Sequence, residues 1–164
     1  RSLRIPNREV AGIFQKAIID NFKETIDQSR IRKLMEALWS GDEDTATNIL
    51  SHLLLETISY MDYHENYYHA FMSGIFAGRG YMPKSNQENG LGRPDVCLKD
   101  SRNRRMLVIE CKKADSEEKL DYFCDQAIEQ IINKKYAWNA NGYRTVLCYG
   151  IAFFEKSAKI KLMK

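Results

Sequence analysis

The sequence predicts an α/β protein in which several helices precede a small β-sheet. Apolar residues recur every three or four positions through the first half of the 164-residue chain, and runs with strand character alternate with a further helix in the second half. Hydrophobic residues make up 44% and charged residues 29% of the chain, which is ordinary for a globular protein and excludes disordered and fibrous classes. No run approaches the ~18 apolar residues that a membrane helix needs, so a soluble protein with no membrane partner is expected.

The helical pattern of the first half divides into four amphipathic segments. Each carries apolar residues at three- and four-residue spacing, and Asp42 is placed to cap the third segment. The fourth is rich in aromatic residues and stops at Gly78 and Gly80. The predicted helices cover residues 7–26, 31–39, 42–58 and 63–78.

Beyond residue 80 the helical spacing gives way to strands. A polar loop, Ser101 to Arg104, separates two clear runs and suits a hairpin, so these two strands are expected to be antiparallel. A long helix is predicted to begin near Ser116, where acidic residues occupy the first turn. Residues 156–164 alternate lysine with apolar residues, as either an edge strand or a frayed tail would. The predicted strands cover residues 81–85, 95–100, 105–112 and 143–154.

The clearest boundary between domains lies near residues 59–63. We therefore predict a helical extension or connector over 1–58 and a second domain over 59–164. The chain starts with Arg1 and no signal peptide follows, so it is expected to be a piece of a longer protein.

Cysteine and histidine spacing argues against disulfides and zinc. The four cysteines contain no CxxC pair and are too sparse for a disulfide scaffold, which indicates buried thiols in a reducing cytoplasm. His64 and His69 are five residues apart and do not share one helix face, so they do not predict a zinc site. The net charge of +3 permits a nucleic-acid partner without establishing one.

The proposed hairpin brings two carboxylates together. If its loop is centred between Arg102 and Asn103, each residue faces the partner whose number adds to 205 with its own, so Asp95 faces Glu110. Directly opposed residues have Cβ atoms ~4.5–5.5 Å apart and project from the same face of the sheet. Two carboxylates at that distance are costly unless a cation lies between them, and Mg²⁺ or Mn²⁺ with oxygen ligands suits the position.

Lys112 adds a third group to this pair. It lies two residues beyond Glu110 on the same strand face, while Cys111 points into the opposite layer. An ammonium beside a metal held by carboxylates can orient or deprotonate an attacking water and offset charge on a phosphate. These residues indicate hydrolysis of phosphodiester bonds. The competing interpretation is a solvated hairpin with ordinary surface charges, because neighbouring carboxylates and lysines are common on protein surfaces.

The same residues resemble a known family. Arg93-Pro94-Asp95, followed by a strand and then Glu110-Cys111-Lys112, is similar to the motif of the PD-(D/E)XK nuclease superfamily. Several longer segments resemble the bacterial and archaeal branch that is often fused behind an AAA-type ATPase-like domain, and residues 1–57 resemble its helical connector more weakly. No GxxxxGK[ST] motif occurs in this chain. The longer segments are residues 85–95, 110–114, 130–131 and 149–153.

The resemblance implies a restriction-endonuclease-like core made of a helix, a three-stranded meander, a helix and a strand. It implies Asp95 and Glu110 as metal ligands, together with the backbone carbonyl of Cys111, and Lys112 as the catalytic lysine. It also implies Mg²⁺ or Mn²⁺ as the cofactor, DNA as the substrate with RNA as the other candidate, and an ATPase-like domain in the full-length protein.

Four further residues are expected to support the site. Glu65 matches the family's glutamate on the helix before the sheet, with His69 one turn later on the same edge; a surface glutamate is the alternative. Gln130 matches the polar residue of the later helix, where a structural amide is the alternative. Arg93 and Lys113 flank the motif and are expected near substrate phosphate.

The sequence thus predicts a metal-dependent nuclease that hydrolyses DNA. A second interpretation is a catalytically silent module of the same fold that binds nucleic acid or protein for an adjacent ATPase. The intact set of Asp95, Glu110 and Lys112 favours the enzyme. A third interpretation, compatible with either, makes the helical region the surface of a homodimer or of a partner.

Overall fold

The first elements of the described structure are helices. The structure is a computed structural model that describes residues 27–57, 65–77, 91–137 and 140–164. The predicted helix over 7–26, the predicted strand over 81–85 and the predicted domain boundary lie outside the described residues.

Helices α1 (Gln28–Ser40) and α2 (Glu43–Thr57) are joined by a tight turn. Gly41 ends α1 in the left-handed region, at φ +81°, which suits a residue without Cβ. The Oδ1 of Asp42 accepts a hydrogen bond from the backbone N of Thr45 at 3.0 Å, which confirms the predicted cap. The turn therefore satisfies backbone groups at the end of one helix and the start of the next.

Two further helices flank the sheet. Helix α3 spans Glu65–Ala77, and α4 spans Leu120–Asn133 after a 3₁₀ turn at Glu117–Lys119. The α-helix starts later than the predicted position near Ser116, because the residues that follow Ser116 take the tighter 3₁₀ turn that is common at helix ends. In the described ranges, no helix combines the length and apolar character needed to cross a membrane.

Within the described residues, four strands form a mixed sheet. They are β1 (Val96–Asp100), β2 (Arg105–Lys113), β3 (Thr145–Phe154) and β4 (Ser157–Leu162), and they lie in this order across the sheet. β1 is antiparallel to β2, β2 is parallel to β3, and β3 is antiparallel to β4. Val96 pairs with Ile109 and Cys97 with Val108, so each pair adds to 205 as predicted. The end of the chain is therefore an edge strand, not a frayed tail.

Helices cover both faces of this sheet. Alternate residues of β2, namely Leu107, Ile109 and Cys111, are buried in the core that also contains residues of α1, α2 and α3. Val108, which points the other way, lies in a second buried cluster with Ile131 of α4. The mixed α/β architecture, with helices before the sheet, agrees with the restriction-endonuclease-like core that the family resemblance implied.

Helix α2 covers the outer edge of β4. Three of its side chains, each one turn after the last, accept hydrogen bonds from backbone N–H groups of alternate β4 residues. The pairs are Leu162 N to Glu43 Oε2 (2.6 Å), Ile160 N to Thr47 Oγ1 (3.0 Å) and Ala158 N to Ser51 Oγ (3.4 Å). Side chains four residues apart on a helix are ~6.0 Å apart along its axis, close to the ~6.8 Å between alternate strand residues, so the two rows stay in step. The edge strand is thus satisfied without another strand beside it.

Candidate active site

The two carboxylates predicted to meet lie at the start of β1 and towards the end of β2. Asp95 immediately precedes β1, and Glu110 and Lys112 belong to β2. The Oδ2 of Asp95 accepts a hydrogen bond at 2.7 Å from the backbone N–H of Cys111, the residue between Glu110 and Lys112. The structure therefore brings the three residues predicted to be catalytic to one place.

Glu110 is the one buried charged residue in the described part of the chain, with 3% of its surface exposed. Its Oε1 accepts a hydrogen bond from Nε2 of Gln130 and lies 3.6 Å from Nζ of Lys112. Its Oε2 is buried and has no hydrogen-bond partner among the described residues. A buried carboxylate oxygen in this situation is costly unless a proton or a cation compensates it.

The environment of Glu110 favours its neutral form. Burial, and then the nearby charge of Asp95, raise the pKa of the Glu110 carboxyl from 4.5 to about 7, although Lys112 acts in the opposite direction. A divalent cation fits this environment, because it would neutralise both carboxylates and give the buried Oε2 a positive partner.

Gln130 of α4 joins Glu110 to Lys112. Its Nε2 donates to Oε1 of Glu110 and lies 3.3 Å from the Oη of Tyr136, while its Oε1 accepts from Nζ of Lys112 at 2.5 Å. This arrangement fixes the orientation of the amide, since acceptors lie on its nitrogen side and a donor lies on its oxygen side. The Lys112 side chain is 25% exposed, so its ammonium is held in place and still accessible to a substrate.

Close packing of α4 on β3 allows Gln130 to reach the site. Gly150 of β3 pairs in register with Glu110 of β2. A Cβ atom on Gly150 would overlap the backbone oxygen of Cys124 in α4. Glycine therefore permits the helix to lie this close to the sheet beside Glu110.

Two other residues contact the site, and neither was predicted to belong to it. The Nδ1 of His69 in α3 lies 3.3 Å from Oδ1 of Asp95, whereas the sequence marked His69 only as the neighbour of Glu65 one turn earlier. Tyr136, in the turn after α4, is buried against Gln130. The four-residue spacing from Glu65 was the one sequence pattern that pointed to His69. Tyr136 lies beyond the end of α4, where no periodic pattern marks it.

Of the remaining supporting residues, Arg93 and Lys113 are adjacent to the motif in the chain, whereas Glu65 precedes Asp95 by 30 residues. Glu65 is the first residue of α3, and its side chain lies outside the described part of the structure. Arg93 is exposed two residues before Asp95. Lys113 is exposed at the end of β2, where strand alternation directs it away from the face that carries Lys112.

The ligands predicted for a metal are all oxygen atoms. The carboxylates of Asp95 and Glu110 and the backbone carbonyl of Cys111 suit Mg²⁺ or Mn²⁺, which prefer such ligands. Among residues 27–57, 65–77, 91–137 and 140–164, no group of three or more His, Cys, Asp or Glu side chains is arranged to hold a metal. A cation at this site would therefore depend on two carboxylates, a backbone carbonyl, and water or substrate oxygens.

Comparison with known proteins shows to which family the chain belongs. The sequence model of the PD-(D/E)XK nuclease superfamily matches residues 63–162, which is more than half of the chain. No curated protein and no solved structure matches the chain. The matched range contains α3, the sheet and α4, and with them Asp95, Glu110 and Lys112. The chain therefore belongs to the PD-(D/E)XK nuclease superfamily, as its motif predicted.

Proposed function

We propose that this protein is a metal-dependent endonuclease that hydrolyses phosphodiester bonds in DNA, with RNA as the alternative nucleic acid. The observation that carries the proposal is the environment of Glu110. This buried carboxylate has one oxygen without a hydrogen-bond partner in the described part of the chain, lies beside Asp95, and is 3.6 Å from the Lys112 ammonium. Membership of a nuclease superfamily supports the same conclusion.

Asp95 and Glu110 would hold Mg²⁺ or Mn²⁺ together with the backbone carbonyl of Cys111. When bound, such a cation supplies Lewis-acid polarisation of the phosphate and a more acidic water. The Cys111 N–H fixes the Asp95 carboxylate before any substrate arrives.

Lys112 would act on the substrate side of the site. Its ammonium is held by the Oε1 of Gln130 and lies close to the carboxylate of Glu110. From this position it can orient the attacking water and offset negative charge that develops on the phosphate oxygens. Gln130 would then be a positioning residue that acts through Lys112 and Glu110.

Metal titration and DNA cleavage on the same variants test this proposal. Calorimetry with Mg²⁺ and Mn²⁺ at about pH 8 should show binding in the wild type that is lost in Asp95→Ala and Glu110→Ala, because each variant removes a ligand. Lys112→Ala should keep metal binding and lose cleavage of labelled DNA. Glu36→Gln, which removes an exposed carboxylate of α1, is the matched control and should keep both.

Metal-dependent cleavage that survives in purified Asp95→Ala or Lys112→Ala would contradict the proposal. Salt-dependent DNA binding by the wild type, with no cleavage under any divalent metal, would instead support a catalytically silent module of the same fold.

The proposal also covers a neighbouring domain, the cellular compartment and the oligomeric state. We propose an ATPase-like domain next to it in the full-length protein, on the resemblance of residues 1–57 to a connector. All four cysteines are buried, as thiols in a reducing compartment such as the cytoplasm would be. A homodimer formed through the helical region is tested by elution volume against mass.

A further inference from the structure

An open groove of about 1120 Å³ runs along α4 beside the candidate site. The α4 residues that line it recur every three or four positions, so the groove follows one face of the helix. A helix of 14 residues is about 21 Å long, which suits an extended polymer better than a compact small molecule. Residues that line the groove include Lys112, Lys119, Tyr122, Gln126, Gln130 and Lys134.

Lys112 and Gln130 connect this groove to the candidate site. Both line the groove, and both also contact Glu110. A chain lying in the groove would therefore pass the ammonium that is proposed to act on a phosphate.

The groove carries more positive than negative charge. Three lysines line it, namely Lys112, Lys119 and Lys134, against the carboxylates of Asp115 and Glu129. Asp115 and Lys119 are paired with each other, at 3.5 Å, which leaves Lys112 and Lys134 against the carboxylate of Glu129. Phosphate groups spaced along a nucleic-acid strand complement a surface of this kind.

Tyr122 presents an aromatic ring beside these lysines. The residue is 58% exposed, and its ring meets that of Phe123 edge to face, with centroids 5.4 Å apart. A nucleic-acid base stacks on such a ring only when its own face is free, as in a single strand, because bases within a duplex already stack on their neighbours. One turn later, the amide of Gln126, whose Nε2 donates to Oε2 of Glu129 at 3.3 Å, still offers its Oε1 acceptor to a base edge.

We propose that the groove along α4 binds a single-stranded segment of nucleic acid and leads it past Lys112, with Tyr122 as a base-stacking residue. The identity of the polymer rests on the proposed nuclease function, and the inference adds the strandedness of the substrate next to the site.

Fluorescence anisotropy tests the stacking role of Tyr122. A labelled single-stranded DNA and the blunt duplex of equal length are titrated with the full 164-residue chain in EDTA, so that no cleavage occurs. Tyr122→Ala should weaken single-strand binding by about 5- to 150-fold, whereas Tyr122→Phe should stay within about twofold because it keeps the ring. Ile132→Ala is the matched control: Ile132 is also 58% exposed on α4 but does not line the groove.

The salt dependence of single-strand binding tests whether the lysines of the groove contact phosphates. Replacing Lys119 and Lys134 together by Gln should lower the slope of log K against log salt by up to about 1.4, since each phosphate contact in a single strand contributes about 0.7. The double replacement of the exposed Lys33 and Lys164 by Gln makes the same change in net charge away from the groove and should leave the slope unchanged. Thermal unfolding establishes that every variant is folded.

The outcomes separate this inference from the proposed function. The inference is overturned if the wild type binds no single strand, if Tyr122→Ala binds it as the wild type does, or if duplex binding falls equally. If the wild type in such a case still cleaves DNA, and the cleavage depends on Lys112, the proposed function stands without the inference about the groove. Conversely, single-strand binding that depends on Tyr122, with no cleavage in any divalent metal, supports the groove and refutes the enzyme.

Discussion

Glu110 of β2 and Gly150 of β3 occupy paired positions in the sheet, and the glycine allows α4 to pack closely beside the glutamate. A methyl group on Gly150 would overlap the backbone oxygen of Cys124 and come within 3.0 Å of the Ile128 side chain. Because a backbone atom cannot move away cheaply, the whole of α4 would have to shift, and Gln130 would shift with it. The hydrogen bond that supports Glu110 therefore depends on this glycine.

We expect Gly150→Ala to lower the free energy of unfolding by about 1–3 kcal/mol, the usual cost of overpacking a core. Each kcal/mol should lower the melting temperature by about 2–4 °C in a chain of this size. Thr145→Ala, at an exposed position of the same strand, is the control and should change the free energy by no more than about 0.5 kcal/mol. Denaturant unfolding measures both, and a Gly150→Ala variant as stable as the wild type would contradict the close packing of α4.

The β1–β2 hairpin could be predicted from the sequence because its geometry is local. The loop from Ser101 to Arg104 fixes the register, which the pairing of Val96 with Ile109 confirms. Strand alternation then directs the side chain of Cys111 into the core beneath α1 to α3, on the face of the sheet opposite to that of Glu110 and Lys112.

The contacts that α3 and α4 make could not be predicted in the same way. The reach of Gln130 to Glu110 depends on the distance between α4 and the sheet, which a glycine far along the chain determines. A helical pattern likewise marks the buried face of α3, but not the contact that His69 makes with Asp95 at the edge of that face. The raised pKa of Glu110 has the same origin, because its first cause is burial by elements distant in sequence.

The pKa of Glu110 predicts a stability that falls as pH rises. The carboxyl titrates near 7 in the folded protein, against 4.5 for the ordinary side chain. Between these values the folded protein keeps a proton that the unfolded chain has lost, so the contribution is full below about pH 4.5 and is lost as pH rises through about 7. At 1.36 kcal/mol per pKa unit, the change is on the order of 3 kcal/mol.

Glu110→Gln isolates this effect, because it removes the titrating group and nearly preserves the shape of the side chain. We expect denaturant unfolding in EDTA to show this variant as more stable than the wild type at about pH 8, with the difference shrinking towards about pH 5. Parallel stability curves for the two proteins across this range would contradict a raised pKa for Glu110.

Divalent metal binding is expected to weaken as pH falls below about 7, because a proton and the cation compete for the carboxylate of Glu110. The affinity for Mg²⁺ or Mn²⁺ should fall by up to about tenfold per pH unit there. Calorimetry in buffers of different ionisation enthalpy counts the proton released on binding, and this number should approach one at about pH 6. Binding with no proton release at that pH would contradict a Glu110 that both has a raised pKa and is a ligand.

Substitutions of Gln130 separate a positioning role from a purely structural one. Gln130→Glu keeps an acceptor for Lys112 but brings a like charge to the Oε1 of Glu110, so metal binding should require a higher pH than in the wild type. Gln130→Ala removes both contacts and should cost about 10–100-fold in metal affinity or cleavage, the usual range for residues that orient ligands. A change in melting temperature alone, with metal affinity and its pH dependence intact, would indicate a structural amide.

The contact between α2 and β4 predicts that residues 28–57 contribute to the stability of the sheet. Thr47→Val and Ser51→Ala each remove a side-chain acceptor from a backbone N–H of the edge strand. We expect each variant to lose about 0.5–2 kcal/mol of the free energy of unfolding. This is at the lower end of the usual cost of an unsatisfied backbone N–H, because the N–H groups of β4 are only partly buried here. Asn48→Ala, on the exposed side of the same helix, is the control and should change little.

An uncovered edge of β4 also changes how the protein associates. The double variant of Thr47 and Ser51 leaves backbone N–H groups of β4 available to pair with another chain. Sedimentation velocity should therefore show self-association that rises with concentration in the double variant and exceeds that of Asn48→Ala. If stability and mass of the double variant match those of the control, the hydrogen bonds from α2 do not protect the edge, and packing of the apolar face of α2 alone holds it against the sheet.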